Sequence, residues 1–227
     1  MITVGLENLL STRLSSLRGK RLGILCHAAS ITSRYTHILD ACAEAGLAVG
    51  AVFGPQHGLF GQTQDNMIEW EGGFTHPKFN ARVYSLYGVH RTPQPRMLED
   101  IDVLIVDLQD VGARPYTYVW TLKHCMEACT KAGVTVLVCD RPNPIAAVHC
   151  DGPMLDENFF SFVGGARIPL CHRMTIGEIA LMLKNDSFPG CDLIVEWMSG
   201  WQRDSLWEEC GLPWVMPSPN MPTAQTA

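Results

Sequence analysis

Residues Leu47 to Gly61 read LAVGAVFGPQHGLFG, and the change of character after Phe53 decides the fold class. Leu47 to Phe53 is an unbroken apolar run apart from one glycine, which suits a strand covered on both faces rather than one open to water on one side. The chain then passes into glycines, a proline, an amide and an imidazole. Glycine and proline supply the backbone conformations of a tight turn. Gln56 and His57 are therefore hydrogen-bonding groups held at a strand end.

The same pattern recurs along the chain. Strands are expected at Arg21 to Cys26, Arg82 to Tyr87, Val103 to Asp107, Val134 to Cys139 and Asp192 to Trp197. Between them, Ile38, Leu39, Cys42 and Ala45 recur at helical spacing up to Gly46, and Val119, Leu122, Met126 and Cys129 do so up to Gly133. Thr175 and Glu178 form a capping box ahead of Ile176, Ile179, Ala180 and Leu183. Alternation of this kind predicts an α/β protein with a doubly wound, mostly parallel sheet and helices on both faces. Residues 1–150 are expected to form its core, and residues 151–227 an extension of the same domain.

Composition narrows the function. The chain has 227 residues, 47% apolar and 18% charged, with a net charge of -6, enough to bury a sizeable core. Its lysines and arginines are scattered, so neither nucleic acid nor an anionic membrane is an expected partner. The first twenty residues show no signal-peptide pattern, and no stretch approaches the roughly 20 apolar residues of a membrane span. Nine scattered cysteines, several in strand or helix patterns, favour a reducing compartment; with no signal-peptide pattern visible, the expected location is cytoplasmic, with secretion of relatives left open.

In an open parallel sheet, ligands bind at the carboxyl ends of the strands. Four strand ends release polar residues here: His27; Gln56 and His57; Asp107 with Gln109, Asp110 and Arg114; and Asp140 with Arg141 and Asn143. The segment DLQDVGARPYTY, Asp107 to Tyr118, gathers acid, base, amide and two phenols, a set suited to a sugar ring. The competing structural readings are that Asp107 caps the next turn, that Arg114 pairs with Asp110, and that DRPNP is an Asn-Pro turn. Glu69 and Glu71 flank Trp70, and two carboxylates with an aromatic suit glycoside hydrolysis; Glu71, beside Gly72 and Gly73, also reads as a solvated loop residue. His172 precedes the capped helix and either reaches the site or closes a turn. Nucleotide, hydrolase-elbow, zincin and paired-cysteine motifs are missing from the sequence.

Together these residues resemble a family of exo-acting β-N-acetylmuramidases, peptidoglycan hexosaminidases long catalogued as a domain of unknown function. The matching stretches are FGPQHGLFG, QDNMIE, VYSLYG, DVLIVDLQDVGARPYTY, DRPNP, SFVGGARIPLCHRMTIGE and PSPNMPT, in the family's order. The resemblance implies a Rossmann-like N-terminal domain, a further C-terminal domain with the cleft at their junction, no cofactor, and removal of N-acetylmuramic acid from the non-reducing end of peptidoglycan fragments. The partner it implies is a peptidoglycan-derived amino sugar or muropeptide.

Two departures shape the expectations. Better-studied members have glutamate where this chain has Gln56, and an amide is no general acid, so the acid role passes to Glu69, sheltered beside Trp70, with Asp110 as the next carboxylate. His27, Gln56, His57, Arg114, Tyr116, Asp140, Arg141, Asn143 and His172 are expected to bind the sugar. The second departure is length: PSPNMPT stands in mid-chain in the family and close to Ala227 here. The C-terminal domain is therefore expected to be missing, leaving apolar surface exposed near Trp201, Trp207, Trp214 and Met216. The rival reading is a catalytically silent sugar-binding or structural domain.

Overall fold

The computed structural model describes residues 2–61, 63, 68–145 and 149–227. The chain opens with two helices, α1 (Gly5–Thr12) and α2 (Leu14–Leu17), then runs β1 (Arg21–Cys26), α3 (Ile38–Glu44) and β2 (Ala48–Gly54). A short β3 (Thr75–His76) and β4 (Ala81–Ser85) follow, then α4 (Pro95–Leu98), β5 (Val103–Asp107), α5 (Tyr118–Ala132) and β6 (Thr135–Cys139). The last elements are α6 (Ile176–Asp186), β7 (Leu193–Glu196) and α7 (Trp207–Cys210).

Seven strands form one sheet in the order β3-β4-β2-β1-β5-β6-β7. Every pairing is parallel except β3 with β4. The doubly wound, mostly parallel α/β sheet read from the apolar runs is the fold observed. The chain winds outward from β1 through β2 to β4, then crosses back to β5 on the other side of β1. That reversal places the topological switch point between β1 and β5, where such sheets open a crevice.

The unbroken runs have a direct explanation. Leu25, Phe53, Leu104, Val106, Val136 and Val138 enter a core shared with α5 and α6. Their immediate neighbours Ile24, Cys26, Val52, Ile105, Leu137 and Cys139 enter a second core shared with α1 and α3. Successive side chains of a strand point to opposite faces, so two apolar faces demand a continuous run. The helix punctuation also holds: Gly46 and Gly133 adopt left-handed φ of 66° and 69°. Thr175 Oγ1 accepts from the Glu178 amide at 3.3 Å, and Glu178 Oε2 accepts from the Thr175 amide at 2.9 Å.

Elements α1, α2, β3, α4 and α7 were not among those expected from the sequence. Helix α1 begins after Val4, which carries no capping side chain; Glu7 substitutes by accepting from the Val4 amide at 3.2 Å. Strand β3 has two residues, too few for any periodicity. One expectation is met in part. Trp207 is buried and meets Trp214 edge-on at 4.9 Å between ring centroids, while Trp201 and Trp214 are partly exposed and Leu206 and Met216 are exposed, so only part of the apolar surface expected there is covered.

The strand ends are tied together by charge. Asp107 closes β5 with 0% exposure, and Arg141 follows β6 with 5%. Arg141 Nε and Nη2 donate to the two carboxylate oxygens at 2.5 and 2.8 Å, and Nη2 also donates to the Ile31 carbonyl at 2.8 Å. Asp107 is thus an ion-pair partner, not the cap of the next turn. Beside it, Asp140 Oδ1 accepts from the Gly177 amide at 2.9 Å and closes the start of α6. Burial raises the Asp140 pKa to about 6, against the opposing hydrogen bonds from Thr175 and Gly177.

Two predictions follow from these groups. Removing one member of a buried ion pair strands the other, at a cost of about 3–5 kcal/mol. Asp107→Asn and Arg141→Met should each lower the stability read from urea unfolding by that order, and the double variant should lose less than the sum. For Asp140, the folded pKa of about 6 lies above the ordinary value of 3.8, so between these pH values the folded chain holds a proton that the unfolded chain releases. Its contribution to stability therefore falls as pH rises through that window. Asp140→Asn should gain on the natural chain by up to about 3 kcal/mol from pH ~4 to pH ~7; a pH-independent difference would contradict the assignment.

Candidate active site

The loop after β2 turns on strained backbone. His57 adopts φ of 69° and Gly58 φ of 87°. A left-handed conformation in a residue with a Cβ costs energy and marks a position the surroundings over-determine. His57 Nδ1 meets the Thr63 carbonyl at 3.1 Å, so Nδ1 carries the proton and Nε2 is left as an acceptor. Trp70 seals the back of the loop by donating Nε1–H to the Pro55 carbonyl at 2.9 Å. Its ring lies so close to Gly54 that a Cβ there would overlap it.

Gln56 is held from α5. Thr117 Oγ1 donates to Gln56 Oε1 at 2.7 Å, which leaves the amide NH2 as the group that Gln56 can offer a ligand. The next residue, Tyr118, donates to the Pro217 carbonyl at 2.5 Å and draws the C-terminal segment over the strand ends. The result is a cleft of about 490 Å³ lined by Gln56, His57, Tyr87, Arg91, Tyr116, Thr117, Phe162, Ser218 and Asn220 among others. A smaller hollow of about 180 Å³, lined by His27 and Met216, shares His57 and Ser218 as its wall.

His27 stands at the switch point. Its Nε2 accepts from the Gln109 amide at 3.0 Å, bridging the ends of β1 and β5. Burial, and then the charge of Arg141, hold His27 well below the ordinary imidazole range; burial likewise lowers His57. Both rings are neutral at pH 7 and act through hydrogen bonds, not charge. Among the described residues no carboxylate lines the cleft, and Arg91 is its one cation.

The remaining residues read from the sequence build the walls behind this cleft. Asp110 Oδ2 accepts from the Gly112 amide at 2.9 Å and lies 3.4 Å from His172 Nε2; both side chains are buried, and Asp110 Oδ1 is left without a partner among the described residues. Arg114 does not pair with Asp110. Its guanidinium donates to the Pro153 and Ile168 carbonyls at 2.7 and 2.8 Å, fastening the loops that follow. Asn143 donates to the Met174 carbonyl and accepts from the Ile145 amide, so its polar atoms are spent inside the protein. Asp140 and Arg141 serve α6 and Asp107 as described. Glu69 is exposed, because Trp70 takes the inward position beside it, and the shelter expected for Glu69 is not there. Ile68 is exposed as well, and residues 64–67 of QDNMIE lie outside the described residues.

Sequence reasoning missed Tyr87, Arg91, Thr117, Phe162, Ser218 and Asn220. Five of these sit inside stretches that carried the family resemblance: VYSLYG, ARPYTY, SFVGG and PSPNMPT. Arg91 sits in none. Among the described residues no cluster of His, Cys, Asp or Glu is arranged to hold a metal ion, and no helix is long and apolar enough to cross a membrane.

The chain is 38% identical over 226 residues to the peptidoglycan β-N-acetylmuramidase NamZ of Bacillus subtilis strain 168, matching 99% of this chain and 54% of that protein. Two crystal structures of DUF1343 family proteins from Bacteroides fragilis NCTC 9343 superpose over 99% of the chain. BF0371 does so with a TM-score of 0.90 and 34% identity over 57% of its own length, and BF0379 with 0.81 and 32% over 58%. The chain thus spans a little over half the length of these relatives. Residues 22–225 match the family described as exo-β-N-acetylmuramidase NamZ, N-terminal, and the chain belongs to that family.

Proposed function

We propose that this chain binds and cleaves a terminal N-acetylmuramic acid residue of peptidoglycan fragments, as a glycoside hydrolase acting from the non-reducing end. The observation that carries the reading is the cleft at the strand ends. Aromatic walls from Tyr87, Tyr116 and Phe162 face polar groups from Gln56, His57, Thr117 and Ser218. Aromatic faces pack on the C–H faces of a sugar while oriented donors and acceptors fix its hydroxyls, the usual division of labour in a small-molecule site. The similarity to a peptidoglycan β-N-acetylmuramidase supports the same substrate class.

In this reading Gln56 donates its amide NH2 to the sugar and His57 Nε2 accepts from a hydroxyl. A 2-acetamido sugar can supply its own carbonyl oxygen as the nucleophile, so the reaction needs an acid but not a second catalytic carboxylate. Glu69 is the assigned acid, with buried Asp110 as the next candidate. A second reading is supported by one specific observation: with Gln56 in place, no carboxylate lines the cleft among the described residues. That favours a sugar-binding domain that does not turn over.

Release of free N-acetylmuramic acid from muropeptides separates the two readings. For an active protein, Glu69→Gln should lower turnover by about 10²-fold or more, the scale of a lost general acid, with an unchanged thermal midpoint. Gln56→Glu should retain or raise activity by placing a carboxylate in the cleft. Full activity in Glu69→Gln would transfer the acid role to Asp110. Binding without release in the natural chain, together with turnover gained in Gln56→Glu, would establish the silent reading.

A further inference from the structure

Arg91 is the one cation on the cleft wall among the described residues. Its guanidinium carbon stands 5.0 Å from the Tyr87 ring centroid and 4.5 Å from that of Phe162. The two rings are 5.8 Å apart, and Phe162 is backed by a stacked His124 ring at 5.7 Å. The aromatic faces hold the flat guanidinium in place without using its N–H groups. Among the described residues Arg91 forms no ion pair. Arg114, by contrast, is spent on two carbonyls, Arg141 on Asp107, and Lys123 on the Gly165 carbonyl.

A cleft with one pre-positioned guanidinium and no acid among its described walls favours an anion. We propose that Arg91 is the specificity residue of this cleft: it takes the lactyl carboxylate of N-acetylmuramic acid, the group that separates this sugar from N-acetylglucosamine. The inference rests on the substrate class proposed above and adds the residue that reads it. The planar fork of arginine suits a carboxylate, and a group already held in place loses little freedom on binding.

The test is binding, recorded apart from turnover. N-acetylmuramic acid, its uncharged methyl ester and N-acetylglucosamine are titrated into the full chain by calorimetry or NMR, with natural Arg91, Arg91→Gln and Arg91→Lys. The natural chain should prefer the acid over both neutral sugars by about tenfold, the scale of a charge-assisted hydrogen bond. Arg91→Gln should bring the three ligands to within about twofold by weakening the acid alone, and Arg91→Lys should restore part of the preference. The inference is overturned if the natural chain does not separate acid from ester, if no sugar binds, or if Arg91→Gln weakens all three alike, which would make Arg91 a support for the aromatic walls. Selective binding without sugar release removes the hydrolase reading and leaves Arg91 standing. Release unaffected by Arg91→Gln does the reverse.

Discussion

A guanidinium and a carboxylate buried side by side are expensive to desolvate, and Asp107 with Arg141 offsets that cost through a two-pronged pairing in which both carboxylate oxygens accept and Nη2 makes a further bond to the Ile31 carbonyl. The pair joins the end of β5 to the loop after β6, and its third bond reaches Ile31 in the segment after β1. Three strand ends are thereby locked across the switch point. The loops bearing His27, Gln109 and Asp110 leave from this anchored edge, so the cleft inherits its shape from an interaction that never touches its space.

The same division runs through the site. Polar residues at the strand ends split into those that build loops and those that face the cleft. Asp140 caps a helix, Asn143 bridges two loops, Arg114 pins two carbonyls and His172 lies against Asp110. Gln56, His57 and Tyr116 line the cleft, with His27 one wall away. A glutamine at position 56 then matters more than it would in a cleft rich in acids, because Thr117 fixes which end of the amide is on offer.

Six of the seven strands were legible in the sequence because burial on both faces leaves a continuous apolar signal, and three helices, α3, α5 and α6, because glycine stops and one capping box are local chemistry. What was not legible is non-local. Whether a strand-end arginine meets a ligand or an aspartate depends on pairings 34 residues apart, as for Arg141 and Asp107. Trp70 turning inward decides that Glu69 turns outward, and neither residue announces it. Arg91 sits in a segment of no recognisable pattern and acquires its setting from Phe162, far along the chain. Residues shared with the family's motifs, such as Ser218 and Asn220, could have been added to the site from the resemblance alone.

The two apolar faces of the strands have an evolutionary side. In a sheet with one wet face, a one-residue slip turns polar side chains inward and is rejected at once. Here a slip in β5 or β6 would exchange one greasy set for another, and hydrophobicity by itself would barely object. Alignment must then be policed at the strand termini, where Asp107 finds Arg141 only when β5 and β6 are in step. Single-residue insertions or deletions inside these strands should accordingly be purged for breaking an electrostatic latch rather than for spoiling a core, while the long connections tolerate changes in length. The anchor that shapes the cleft doubles as the proofreader of the sheet.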